Sequence, residues 1–118
     1  MPYVDGFVLT VPRRKLAAYR QMAKAASRIF RELGALEFHE SVGDDLNTKM
    51  GVPFPRMAKA RPGEAVLFSW ILYKSRADRD RVNKKMMTDK RIARMMKGPM
   101  PFDVKRMAMG GFKTIVDA

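Results

Sequence analysis

The chain has 118 residues, 47% of them apolar and 31% charged, and its 24 Lys and Arg against 12 Asp and Glu give a formal net charge of +12. That length supports a hydrophobic core, so residues 1–118 are read as one domain and a disordered tail is excluded. The absence of cysteine excludes a disulfide framework, a thiolate metal site and a cysteine nucleophile.

Tyr3 to Val11 alternates Tyr3, Asp5, Phe7, Leu9 and Val11 with Val4, Gly6, Val8 and Thr10, and Pro12 closes it. This is a strand, largely apolar on both faces. From Arg13 to Leu33, residues Leu16, Tyr19, Ala23, Ala26, Phe30 and Leu33 recur at spacings of three and four, which predicts a helix with one apolar face. Its opposite face holds Arg13, Arg14, Arg20, Lys24, Arg28 and Arg31, and Gly34 is placed to end it. Ala35 to Val42 alternates Leu36, Phe38 and Val42 against Glu37, His39 and Ser41, a half-polar strand.

Gly43 to Gly63 lacks periodicity and reads as a long loop, with residues 44–63 as its body. Glu64 to Lys74 is a second strand apolar on both faces, Val66, Phe68, Trp70 and Leu72 against Leu67, Ser69, Ile71 and Tyr73. Ser75 caps the next predicted helix, which has Asp78 and Asp80 in its early turns and Ala77, Val82, Met86 and Met87 on its buried side. Arg76, Arg79, Asp80 and Asn83 lie on it at spacings expected of a surface network. Thr88-Asp89 breaks the helix, and a second piece runs from Lys90 to Met96 before Lys97-Gly98-Pro99 stops it. The last strand is expected from Val104 to Val116, with a bulge or bend at Gly110-Gly111.

The order βαββαβ is the α+β, ferredoxin-like arrangement: a four-stranded antiparallel sheet with the helices on one face. A lone domain of this kind leaves its second sheet face to water, yet two of its strands are apolar on both sides. The same face of a second copy is the simplest cover, so the expected assembly is a homodimer whose sheets enclose a shared apolar interior.

Several blocks carry a family resemblance. Tyr3-Val4-Asp5-Gly6-Phe7, Gly34-Ala35-Leu36-Glu37-Phe38 and Phe68-Ser69-Trp70-Ile71 are among them, as are Tyr73-Lys74-Ser75-Arg76, Arg79-Asp80 and Val82-Asn83. With Met100-Pro101-Phe102-Asp103-Val104-Lys105-Arg106-Met107 and Gly110-Gly111-Phe112, they resemble the small bacterial proteins grouped as DUF1428. The likeness weakens only between Leu46 and Arg61. It implies a dimeric α/β barrel of the kind also used by antibiotic-biosynthesis-type monooxygenases and related small-ligand enzymes, and it implies no particular activity. The chain is more basic than the resemblance leads one to expect, which leaves room for an anionic partner.

The expected function is binding of a small, partly apolar molecule between sheet and helices, and a cofactor-independent enzyme is consistent with it; no reaction is assigned. Trp70 and Phe7 are the candidate apolar wall, Glu37 and His39 the candidate polar or proton-transfer groups, and Asp5 with Arg106 the candidate polar end. A carboxylate between Tyr3 and Phe7 needs Arg106 or another cation beside it, and a structural ion pair is the plain reading. One histidine and no cysteine make a protein-built metal site unlikely on chemical grounds, and no nucleotide fingerprint or serine elbow is present, so neither metal nor cofactor is expected.

No segment is expected to span a membrane, the longest nearly apolar run being Ala65 to Tyr73, and a cytoplasmic location is expected. The charge predicts nonspecific, salt-sensitive nucleic-acid binding, and a basic RNA- or acidic-partner-binding module is one alternative. Against it, Phe68 and Trp70 lack the Lys/Arg-Gly-aromatic motif of RNA-recognition sheets. A structural or regulatory dimer without ligand is the other alternative.

Overall fold

The structure is a computed structural model that describes all 118 residues. Its elements are β1 (Tyr3–Pro12), α1 (Leu16–Leu33), β2 (Glu37–Val42), α2 (Phe54–Met57), β3 (Glu64–Tyr73), α3 (Arg76–Met87), α4 (Lys90–Met96) and β4 (Ala108–Lys113), with short 3-10 turns at Arg13–Lys15 and Val104–Arg106. The four strands form one antiparallel sheet in the order β2-β3-β1-β4. This is the α+β, ferredoxin-like plan that the alternations in the sequence predict.

Register assigns the two faces. Asp5, Phe7, Leu9 and Val11 lie opposite Ile71, Ser69, Leu67 and Ala65. That face meets the apolar stripe of α1 at Tyr19, Ala23 and Ile29 and the α3 residues Val82 and Met86. Val11, Tyr73 and Val82 are wholly enclosed there. On the other face Val4, Gly6 and Val8 lie opposite Leu72, Trp70 and Phe68. The molecule measures 38 × 38 × 20 Å. A thickness of 20 Å is one sheet and one layer of helices at about 10 Å each, so no second layer covers that other face. At one end only, α2 approaches it, with the Phe54 ring edge-on to Phe68 at 6.4 Å. The expected loop therefore contains one helical turn, started by Pro53 and Pro55.

Local chemistry sets the element ends. Ser75 Oγ accepts the Asp78 N–H at 3.2 Å and Asp89 accepts the N–H groups of Arg91 and Ile92, so the predicted Thr88-Asp89 break is the N-cap of α4. Gly34 ends α1 with φ +129°, a conformation that disfavours any side chain, and a Cβ there would also stand 3.2 Å from Val82 Cγ2.

The last strand departs from expectation. Val104 to Arg106 form a 3-10 turn capped by Asp103, β4 begins at Ala108, and there is no bulge: Gly110 and Gly111 stay in register with Gly6 and Asp5. The glycines supply room instead of a bend, because a Cβ on Gly111 would collide with the Tyr3 ring.

Arg106 fastens this corner. Its guanidinium donates to both carboxylate oxygens of Glu64 at 2.7 and 2.8 Å and to the Lys59 carbonyl at 3.0 Å. The bidentate bond holds the Glu64 carboxyl down at about 2.

Two outcomes follow for stability. Gly34→Ala lowers it by about 1–2 kcal/mol, read as a drop in thermal midpoint with an unchanged far-ultraviolet spectrum. Glu64→Gln costs about 2 kcal/mol at neutral pH. Because the folded carboxyl is more acidic than the unfolded one, that contribution is complete above the ordinary value of 4.5 and is lost as pH falls towards 2. Urea unfolding at stepped pH therefore shows the gap between wild type and Glu64→Gln closing on acidification.

Candidate functional site

The helix-facing side of the sheet holds a polar pair among apolar groups. Glu40 occupies the β2 position opposite Ser69, so its side chain points under α1, and it accepts a 2.8 Å hydrogen bond from the Tyr19 hydroxyl. Burial pushes the Glu40 carboxyl above the usual carboxylate range, and the Tyr19 bond returns only part of that rise. Burial, reinforced by the Glu40 charge, raises the Tyr19 phenol in turn, so it stays protonated and serves as a donor.

Two cavities share Tyr19, Ala23, Phe38 and Glu40 as walls. One is a cleft of about 450 Å³ between α1 and β2, with Arg20 and Lys24 on its lip. The other, of about 180 Å³, lies deeper under Phe7, Phe102 and Met107. Tyr19 is held from the far side by Phe102, edge-on at 5.6 Å. A carboxyl with an elevated pKa, one fixed donor and an apolar surround can take a proton from a bound molecule or hydrogen-bond its polar end.

The opposite face carries a different surface. A shallow apolar depression of about 690 Å³ lies over Gly6 and Gly110, walled by Val4, Phe68, Trp70 and Phe112. Nine of its eleven lining residues are hydrophobic, and none of the eleven is charged, so nothing there would orient a small polar ligand. Phe68 and Phe112 are 46% and 62% exposed. At its β2 border His39 lies opposite Trp70 and stacks on the indole at 4.1 Å, while His39 Nε2 and Glu37 Oε1 are hydrogen-bonded at 2.9 Å.

The six residues singled out in the sequence thus do not converge on one site. Trp70, His39 and Glu37 gather on the open face. Phe7 packs with the helix-side core and also borders the open-face depression. Asp5 and Arg106 are not partners: Asp5 accepts from Arg79 Nη1 at 3.0 Å, and Arg106 is committed to Glu64. The reason is register. Asp5 lies opposite Ile71, under the start of α3, whereas Glu64 stands at the other end of β3, seven residues and about 23 Å away.

Arg79 is accordingly no member of an open surface network. Its side chain is 18% exposed, it lies 4.9 Å from the Tyr3 ring centre, and it joins Asp5 to Asp80. Burial raises the Asp5 carboxyl, and the Arg79 charge offsets part of the rise.

Tyr19 and Glu40 are the pair that residue-by-residue reading passed over. Tyr19 looked like one more member of an apolar stripe. Glu40 carried a usable signal, because it falls in the alternating set of Phe38 and Val42, where a carboxylate breaks an otherwise apolar face. No group of three or more His, Asp or Glu side chains is placed to share a metal ion, and no helix is long and apolar enough to cross a membrane.

Comparison with known proteins agrees with this fold. Two solved structures superpose over the whole chain: Rv0793 from Mycobacterium tuberculosis, covering 100% of this chain and 99% of that one with TM-score 0.61 and 15% identity, and a dimeric ferredoxin-like protein from an uncultured marine organism, covering 100% of both with TM-score 0.53 and 8% identity. At the sequence level the chain is 46% identical over 117 residues, 99% of each chain, to the uncharacterized protein YbaA of Escherichia coli K12 and, at the same identity and coverage, to that of Shigella flexneri. The family described as a protein of unknown function, DUF1428, matches residues 2–104. With a match over most of its length and a relative of this identity, the chain belongs to the DUF1428 family.

Proposed function

We propose that this protein is a homodimer that binds a small, partly apolar molecule in the cleft between α1 and β2, with Glu40 as its polar anchor and proton acceptor. The observation that carries the ligand reading is the Tyr19–Glu40 bond in the wall of two adjoining cavities. A carboxyl drawn partly out of water is disfavoured unless it is compensated, and no cation lies within ion-pair distance of this half-buried one: its one partner is a phenol. Groups of this kind, few and oriented in an apolar hollow, are what ligand sites are made of.

The homodimer is supported by the uncovered face. An apolar depression flanked by two exposed phenylalanines, on a slab whose long helices lie on one side and whose other side has only the short α2 at a corner, is stable in water when a second apolar surface meets it. A face that is its own complement under a two-fold axis provides that surface. A structural neighbour described as dimeric and ferredoxin-like is consistent with it. In this reading Trp70 with His39 and Glu37 belong to the interface. A polyanion-binding module has less support, since none of the residues lining the open-face depression is charged.

Light scattering at low micromolar concentration is expected to give twice the 13.5 kDa chain mass, and Phe68→Glu with Phe112→Glu to give the single chain with its circular dichroism retained. A wild type that scatters as a monomer overturns the dimer. For the cleft, Ala23→Met fills the wall common to both cavities and abolishes small-molecule binding while leaving the dimer intact. A screen of small apolar acids, alcohols and amides that moves no amide resonance of Ala23, Phe38 or Glu40 in the wild type overturns the ligand reading.

A further inference from the structure

The lip of the α1–β2 cleft is electrostatically one-sided. Arg20 and Lys24 stand one helical turn apart on α1, both border the cleft, and neither has an acidic partner. Arg79, Arg81, Arg91 and Arg106 are by contrast tied to carboxylates, Arg79 to Asp5, Arg81 to Asp78, Arg91 to Glu32 and Asp89, and Arg106 to Glu64. What sets Arg20 and Lys24 apart from the other unpaired cations is that they border a cleft. Below the lip the cleft turns apolar, with Leu16, Phe38, Val42 and Leu67 along its walls, and Glu40 is the one acid among its lining residues. Cations at the lip, apolar walls beside them and a few hydrogen-bonding groups, Tyr19, Ser27, Glu40 and Ser41, set charged and apolar surface side by side over the length of a small molecule.

Resting on the cleft reading above, we propose that the ligand is an amphipathic organic anion, its carboxylate or comparable head held by Arg20 and Lys24 and its hydrocarbon part lying against Leu16, Phe38 and Leu67. Two free cations within one turn can both engage one head group, and the apolar wall contributes in proportion to the chain buried. Glu40, under its Tyr19 donor, faces the part of the ligand beyond the head. The turn before α1 and the later part of α1 add to the field: Arg13, Arg14 and Lys15 in the 3-10 turn and Arg28 and Arg31 on the helix are likewise without acidic partners, which concentrates anions near the cleft before they enter it.

Three probes of equal chain length, octanoate, octanol and octylamine, separate the possibilities when titrated by calorimetry and followed by amide resonances. Octanoate is expected to move the amides from Arg20 to Ser27 and from Phe38 to Val42, and to bind about ten-fold more tightly than octanol, the ratio of one added charge-assisted contact. Octylamine is expected to bind most weakly. Arg20→Ala with Lys24→Ala brings octanoate to the affinity of octanol, whereas Lys84→Ala with Lys85→Ala, which removes the same charge from exposed positions on α3, leaves the ratio unchanged.

Octanol equal to octanoate, octylamine preferred, or equal loss in both double variants overturns the anion while the cleft stands. Failure of all three probes to move those amides removes the cleft as well. Shifts confined to Val8, Phe68 and Gly110 assign the binding to the open sheet face and overturn the proposal.

Discussion

Strands β1 and β3 are apolar on both of their faces, and a molecule built of one sheet and one layer of helices can cover only one. Everything characteristic of this structure answers that constraint. On the covered side, α1 and α3 complete a core tight enough to enclose Val11, Tyr73 and Val82 entirely. On the uncovered side, α2 shields a corner near Phe68, Gly6 opposite Gly110 leaves a hollow against which the Phe112 ring lies, and aromatic rings are left facing water. The two sides have therefore diverged chemically. The covered side admits a few polar groups in fixed geometry, and the open side admits almost none near its centre.

Those polar groups show how a buried charge is tolerated. Asp5 is 6% exposed in the middle of an apolar strand, and its cost is met by the guanidinium that α3 swings over it, which also lies over Tyr3. Glu40 has no such cation. With only the Tyr19 phenol as partner, it is the less compensated of the two carboxyls, and its proton affinity rises accordingly. The first arrangement ties β1 to α3 and is structural. The second leaves a carboxyl of raised proton affinity in the wall of two adjoining cavities.

The fold was legible because it is written in periodicity. Alternation identified β1, β2 and β3, the three-and-four spacing identified α1, and Ser75 and Asp89 marked the starts of α3 and α4. The candidate site was legible only in part, for reasons of register. Which face a strand residue takes depends on its neighbours, so Trp70 could not be assigned to the open side, nor Glu40 to the helix side, from their own segments. Asp5 clearly required a cation, but the arginines of an unfolded chain look alike until pairing places Ile71 beside Asp5 and Glu64 far from it. Gly110-Gly111 suggested a bend because glycine permits one; the structure uses the same residues for the space that Tyr3 needs.

The sheet order puts β2 and β4 at the margins, where backbone N–H and C=O groups lack a neighbouring strand. β2 is six residues long and presents Glu37, His39 and Glu40 within its first four, and β4 is equally short, carries two glycines and ends at Lys113. Short, charged or glycine-weakened margins are poor templates for strand addition. Lateral growth into an endless ribbon is thereby discouraged, while the broad central face stays open. Edge and face of one sheet thus carry opposite chemistry: the margins resist strand addition, and the face between them presents apolar surface.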